Sequence, residues 1–262
     1  MSDPLGALHA VLRGIAAAEV AVSGGVDSLT LAAAAHDVLG PRARMRHAVS
    51  PAVPPEATAR TRALAAARGW TLDVFDAGEF ADPRYRANPA DRCFFCKINL
   101  YGAIAARADG TILSGTNTDD LADWRPGLQA AAAHGVRHPL VEAGIDKPAV
   151  RRLAARLGLG AVADLPAAPC LSSRIETGLR VEPELLALVH RAELLLAGAL
   201  APRTVRARLR AAGLVIELDT EALARAAPRQ AELRTLLGAL TDRAISFAPY
   251  RTGSAFLRPA AP

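Results

Sequence analysis

The stretch Glu19-Val20-Ala21-Val22-Ser23-Gly24-Gly25-Val26-Asp27-Ser28 decides how the rest of the chain is read. A short apolar run rich in β-formers ends in paired glycines. Ala-rich, helix-like sequence then follows from Asp27 to Leu39 and stops at Gly40-Pro41. This is a strand, a glycine turn and a helix. Paired glycines let backbone N–H groups approach an anion closely, and the helix start adds its donors and the positive end of its dipole. Ser23 and Ser28 bring hydroxyls. Asp27 repels bare phosphate, so it implies a bound Mg²⁺ or a role in fixing the loop. The spacing matches neither GxxxxGK[ST] nor GxGxxG.

Working outward, the pattern repeats. Pro4 to Ala17 reads as a helix, Arg42 to Val49 as a second strand, Pro55 to Arg68 as a helix and Trp70 to Phe75 as a third strand. Asp76 to Asp91 reads as a long polar loop, a length that in a compact domain points to function or disorder. Lys97 to Arg107 reads as a helix, Thr111 to Ser114 as a fourth strand, and Lys147 to Leu157 as an amphipathic helix with Val150, Leu153, Ala154 and Leu157 on one face. Alternating strands and helices predict an α/β fold with a parallel sheet. In such sheets ligands bind beyond the carboxyl ends of the strands, where the Ser23 and Gly115 loops fall. The pattern changes after Pro166 and Pro169. Glu182 to Leu200 is a long helix, Thr204 to Arg210 and Leu214 to Asp219 are strands joined at Ala211-Ala212-Gly213, Glu221 to Leu240 is helical and Ala244 to Phe247 a last strand. The reading is therefore a larger domain over 1–174 and a small α+β domain over 175–262, with a loose tail from Pro259.

Composition bounds the function. The 262 residues are 51% hydrophobic and 22% charged, as expected of a globular protein. The most apolar run, Leu185 to Leu200, is broken by His190, Arg191 and Glu193, so no membrane span is expected. The N-terminus has no signal-peptide pattern, so a cytoplasmic protein is expected. The net charge of +5 rests almost wholly on arginine, with Lys97 and Lys147 the only lysines. It suits an anionic partner but forms no dense basic tract, which argues against nucleic acid. The three cysteines are Cys93 and Cys96, spaced CxxC, and the distant Cys170. An odd number in a reducing compartment does not make a disulfide framework. On count and spacing alone the cysteines read as a redox or vestigial zinc pair with Cys170 a buried bystander thiol, or as parts of one site. His134 and His138 read as packing or loop residues.

Three further segments matter. Gly115-Thr116-Asn117-Thr118-Asp119-Asp120, followed by Asp123-Trp124-Arg125-Pro126-Gly127, sets a glycine turn, an amide, clustered carboxylates and an arginine after the fourth strand. That set suits ribose, Mg²⁺ and phosphate, or else a helix cap at Asn117 or Asp119. The others are Asp91-Arg92-Cys93-Phe94-Phe95-Cys96-Lys97 and Pro169-Cys170-Leu171-Ser172-Ser173-Arg174-Ile175. In the strand Thr204-Val205-Arg206-Ala207-Arg208, the i and i+2 arginines share a face suited to an anion, or form a solvated arginine face.

The hexapeptide Ser23 to Ser28 resembles the PP-loop of ATP pyrophosphatases, whose fold is the adenine-nucleotide α-hydrolase-like sheet. With the Gly115, Cys93 and Cys170 segments in this order, the chain resembles the LarE family from Ser23 through the Arg206/Arg208 region. These are ATP-dependent sulfur transferases that build the nickel-pincer nucleotide. The resemblance implies adenylation of a carboxylate of pyridinium-3,5-biscarboxylic acid mononucleotide and its conversion to a thiocarboxylate. It implies ATP and Mg²⁺ at Ser23, Gly24, Gly25, Asp27, Ser28, Gly115, Asn117 and Asp119, with Asp27 and Cys170 catalytic. It also implies that Arg206, Arg208 and Glu193 bind the substrate phosphate. Single-cysteine members consume that cysteine, whereas this chain's Cys93, Cys96 and Cys170 resemble the members with a [4Fe–4S] cluster fed by a sulfide donor. A homo-oligomer is also implied. The rival is a tRNA thiolase using the same loop and cysteines; it would need an RNA-binding appendage, which the sequence does not show.

Overall fold

The structure, a computed structural model, describes residues 3–107, 109–121, 126–166 and 169–256. Asp123, Trp124 and Arg125 of the second loop motif, and the tail from Pro259, lie outside them. The chain divides into two compact units, Met1–Asp82 with Cys93–Ala168, and Pro83–Arg92 with Pro169–Pro262.

The first unit is an α/β domain around a four-stranded parallel sheet. Its strands are β1 (Ala18–Ala21), β2 (Ala43–Ala48), β3 (Thr71–Phe75) and β4 (Thr111–Ser114), in the order β3-β2-β1-β4. The helix Val26–Leu39 is apolar nearly all round, and Val26, Leu29, Leu31, Ala32, Ala33, Ala34, Ala35 and Leu39 are buried. It must be so, because it packs on the sheet and also against the helices Pro4–Arg13 and Lys147–Arg156. The alanine run keeps those approaches close. On the Lys147–Arg156 helix, Val150, Leu153 and Ala154 face this core as the periodicity predicts.

A buried ion network crosses the sheet. Arg46 on β2 donates from Nε to Glu19 on β1 (2.6 Å) and from Nη1 to Asp73 on β3 (2.7 Å). Glu19 and Arg46 are both buried. Each charge is met by hydrogen-bonded partners, the condition under which buried ions are tolerated.

The second unit holds an antiparallel hairpin of β5 (Val205–Arg210) and β6 (Gly213–Leu218), with β7 (Ile245–Pro249) parallel to β6. The helix Pro183–Leu200 covers β5 and buries Leu186, Val189, Ala192, Leu196 and Leu200.

The span Asp76 to Asp91, read as a polar loop, contains a 3₁₀ turn at Glu79–Ala81 and a short helix at Pro83–Arg86. Its anchors are side chains that a composition reading passes over. Tyr85 is buried, with its hydroxyl 2.6 Å from that of Ser172. Asn88 is fully buried at φ 55°, and its amide donates to the carbonyls of Glu176 and Leu179, each at 2.8 Å. The next helix begins at Arg92, not Lys97, and runs to Ala105.

Candidate functional site

The strand order β3-β2-β1-β4 reverses direction between β1 and β4. At such a switch point the loops leaving the two strands diverge and open a crevice for ligands. β1 and β4 are paired in register, Ala21 opposite Ser114. The Ser23 loop leaves one strand and the Gly115 loop the other.

The Ser23 loop is held by its own hydroxyls. Ser28 donates its hydroxyl proton to the Gly25 carbonyl (3.1 Å) and accepts from the backbone N–H of Ser23 (3.1 Å). The Ser23 hydroxyl lies 3.1 Å from the Ser28 oxygen and 3.4 Å from the Gly25 nitrogen. Gly24 has φ +81°, and a Cβ there would stand 2.7 Å from the Ala57 carbonyl oxygen. Only glycine meets both conditions. Arg60, from the helix Pro55–Arg68, donates to the Gly24 carbonyl (2.8 Å), and burial lowers its pKa. Gly115 presses on the helix start opposite: a Cβ there would lie 2.7 Å from the Ser28 nitrogen. The two loops therefore touch backbone to backbone.

Asp27 is gripped on both oxygens. Asn117, which is buried, donates from Nδ2 to Oδ1 (3.1 Å), and the Lys147 ammonium lies 2.5 Å from Oδ2. The Asn117 side-chain oxygen accepts from the N–H of Asp119 (3.0 Å), and its own N–H donates to Asp120 (3.1 Å). Asp119 accepts from the N–H of Lys147 (3.2 Å). Thr118 to Leu121 is a short 3₁₀ turn. The structure thus brings Ser23, Gly24, Gly25, Asp27, Ser28, Gly115, Asn117 and Asp119 into one crevice. It adds Lys147 and Arg60, which the sequence reading missed.

Two histidines back the strand ends. His47 is fully buried, with Nδ1 2.8 Å from the Val22 carbonyl and Nε2 2.9 Å from the Thr58 hydroxyl. A carbonyl only accepts, so Nδ1 carries the proton and Thr58 donates to Nε2. Burial lowers the pKa of His47. His138 is 2.7 Å from the Ser114 hydroxyl, and burial lowers its pKa as well, against the opposing pull of Glu142 and Asp120.

Cys93 and Cys96 are half-buried in the opening turns of the helix Arg92–Ala105. At i and i+3 they share a face. Among the described residues, no three His, Cys, Asp or Glu side chains converge as a metal site.

In the second unit Cys170 is exposed and precedes the 3₁₀ turn Leu171–Arg174. Arg174, itself buried, holds this segment. It donates to the carbonyls of Pro169 (2.7 Å) and Cys170 (3.3 Å) and to the Ser173 hydroxyl (3.0 Å), and pairs side-on with Glu193 at 2.9 and 3.0 Å. Glu193 also accepts from the N–H of Ala207 on β5 (3.0 Å). Arg208 is buried against Glu217 (3.2 Å) and donates to the Ser173 carbonyl (2.9 Å). Arg206 is half-buried, 5.9 Å from the Tyr250 ring centre, and its pKa is lowered by burial and then by neighbouring Arg174. The three residues assigned to substrate phosphate thus differ: Glu193 and Arg208 are internal partners, and Arg206 donates to the Val205 carbonyl (2.7 Å) with both Arg174 and Glu193 acting on its charge.

No protein-family model matches the chain. It is 43% identical over 181 residues to the uncharacterized protein slr1717 of Synechocystis sp., a match covering 68% of this chain and 67% of that one. It is 32% identical over 158 residues to the pyridinium-3,5-bisthiocarboxylic acid mononucleotide synthase of Lactiplantibacillus plantarum. That match covers 58% of this chain, less than the region carrying the motifs, and the chain spans 57% of the synthase's length. No helix among the described residues is long and apolar enough to cross a membrane. The chain belongs to one family with the Synechocystis protein, and its likeness to the synthase supports placing it among the LarE-like proteins.

Proposed function

We propose that the chain is an ATP-dependent sulfur transferase. It adenylates a carboxylate of pyridinium-3,5-biscarboxylic acid mononucleotide and exchanges the activated oxygen for sulfur. The observation that carries this reading is the crevice between β1 and β4, where two glycine loops meet around Asp27; the likeness to the synthase supplies the acceptor. In the first step a substrate carboxylate oxygen bonds to the α-phosphorus of ATP and pyrophosphate leaves. The Ser23 loop and the helix start receive the phosphates, Asp27 and Asp119 offer oxygens to Mg²⁺, and Asn117 orients Asp27. In the second step a sulfur nucleophile attacks the acyl carbon and AMP leaves.

The sulfur source is part of the proposal. Cys93, Cys96 and Cys170 would hold a [4Fe–4S] cluster, the first two from one helix face and the third from an exposed segment. Such a cluster supplies an iron position for exogenous sulfide. The alternative is that Cys170 gives up its own sulfur in one turnover. Arg206, half-buried on β5, is proposed to grip the substrate phosphate, as the resemblance implies. Arg208 and Glu193 stiffen β5 and the Cys170 segment behind it. The protein is proposed to be cytoplasmic and to work as a homo-oligomer.

The test is an anaerobic assay with Mg²⁺·ATP, sulfide and the biscarboxylic mononucleotide, read by product mass and by iron and sulfide content. Thiocarboxylate together with pyrophosphate is the expected result. Pyrophosphate release stimulated by tRNA instead, with salt-sensitive tRNA binding, would replace this reading with tRNA thiolation.

A further inference from the structure

The Asp27–Lys147 ion pair carries an inference that rests on the ATP reading above and extends it. We infer that Lys147 is a catalytic residue of adenylation: it serves as counter-ion to Asp27 and passes to the nucleotide's phosphates when Mg²⁺·ATP binds.

The argument begins with charge. Asp27 is the second residue of the helix that opens at the loop, so its carboxylate stands where an anion would be bound. A helix start favours one carboxylate, but beside bound phosphates that carboxylate is unfavourable unless a cation accompanies it. Lys147 is that cation, 2.5 Å from Oδ2. When Mg²⁺ reaches Asp27, the carboxylate acquires a second counter-ion and the ammonium becomes available to the phosphates beside it. Asn117 holds Oδ1 at 3.1 Å, an anchor for Asp27 that does not involve Lys147.

Anchoring supports the same reading. Lys147 opens the helix Lys147–Arg156, whose N-cap is Asp146, accepting from Ala149 N–H at 2.8 Å. The Lys147 N–H is held by Asp119 (3.2 Å), and the Ile145 carbonyl accepts from Thr118 (3.1 Å). The backbone is therefore fixed to the second loop, while the side chain is 30% exposed and has a four-carbon stem on which to swing.

Residue type points the same way. Of the 31 basic residues two are lysines. Glu19, Glu142, Glu182, Glu193 and Glu217 all pair with arginine. A guanidinium locks a carboxylate in a planar fork, whereas an ammonium is a compact point charge with rotatable donors. The chain thus has a movable cation at a carboxylate that a nucleotide would reach.

In the reaction the bond from the substrate oxygen to the α-phosphorus forms as the bond from the α-phosphorus to the bridging oxygen breaks, and the electron pair leaves on pyrophosphate. Lys147 keeps its proton and meets the charge growing on the leaving group, which is where a positioned cation accelerates a reaction.

The test compares the full-length protein with K147M and K147R. Binding of Mg²⁺·α,β-methylene-ATP and of adenosine is measured by calorimetry, and pyrophosphate release with the biscarboxylic acceptor is measured alongside. K147M should weaken the triphosphate analogue about tenfold or more while adenosine binding stays within about twofold, and pyrophosphate release should fall roughly 10²- to 10³-fold. K147R should restore more of the binding than of the rate. Wild-type analogue binding by K147M overturns the inference, as does an equal loss of adenosine, which would mark a purely structural role. A wild-type protein that binds the analogue yet releases no pyrophosphate refutes the proposed adenylation instead, and leaves Lys147 to be judged on binding.

Discussion

Replacing Arg174 with methionine removes the support of the Cys170 segment without touching the thiol. The guanidinium makes five contacts, two to Glu193 and three to Pro169, Cys170 and Ser173. Its side chain is 4% exposed and that of Glu193 12%, so water does not replace what is lost. Removing one member of a buried pair costs about 3–5 kcal/mol, because the partner charge stays behind. At about 1.4 kcal/mol per decade, that is at least a hundredfold shift in a local opening equilibrium. Hydrogen exchange reads it directly. The Ser173 amide donates to the Cys170 carbonyl (3.0 Å) and the Ala207 amide to Glu193, so both should lose roughly 10²-fold protection or more. The double change R174M with E193L should recover much of the loss, since no unpaired charge remains. Sulfur transfer should fall in R174M while pyrophosphate release from the Ser23 loop persists. Unchanged exchange at both amides, with an unchanged urea midpoint, would refute the reasoning.

Gly115→Ala should lower pyrophosphate release by an order of magnitude or more and cost about 1–3 kcal/mol in urea unfolding, because its Cβ would stand 2.7 Å from the Ser28 nitrogen. His47 and His138 should make stability fall with acid. Both have lowered folded pKa values, so below about 6.5 the unfolded chain takes up protons that the folded chain refuses, down to the folded values. Urea titrations across that window should show a slope of up to about 1.4 kcal/mol per pH unit for each histidine, with His47→Gln removing one share. Cys170→Ala should still release pyrophosphate yet make no thiocarboxylate. Cys93→Ala and Cys96→Ala should match it if a cluster delivers sulfur, and should be near wild type if Cys170 is consumed.

Much of the first unit was legible because its signals are local. Gly24-Gly25 after an apolar run, and the alanine-rich helix behind it, announce a strand, turn and helix whatever the rest of the chain does. Strand order is not local. Periodicity identifies β1 and β4 but does not make them neighbours, so the crevice between their loops became visible only with the sheet. The polar span from Asp76 to Asp91 misled for the opposite reason. Its Pro, Arg and Asp content reads as loop, yet Tyr85 and Asn88 bury themselves in it and give it order. The pattern marks Lys147 as the start of a helix and as one of two lysines, but not as the partner of Asp27. The available signal was its rarity in an arginine-dominated chain, directly after a capping aspartate.

The arginines show why spacing alone does not separate a binding residue from a structural one. Arg206 and Arg208 alternate correctly on β5, and the pattern treats them alike. The partner strand does not. Glu217 on β6 lies opposite Arg206 in register, yet its carboxylate turns to Arg208 and Arg210. Arg208 is thereby neutralised and buried, whereas Arg206 donates to the Val205 carbonyl (2.7 Å) and feels both the repulsion of Arg174 and the attraction of Glu193. A guanidinium that already has a buried carboxylate gains little from an added phosphate, because the new bond must first break an old one. The same comparison distinguishes Arg46, locked between Glu19 and Asp73, from Lys147, whose partner Asp27 is proposed to turn to Mg²⁺. In a chain where arginine is abundant, the competing carboxylate, and not the cation, marks which positive charges remain for a ligand.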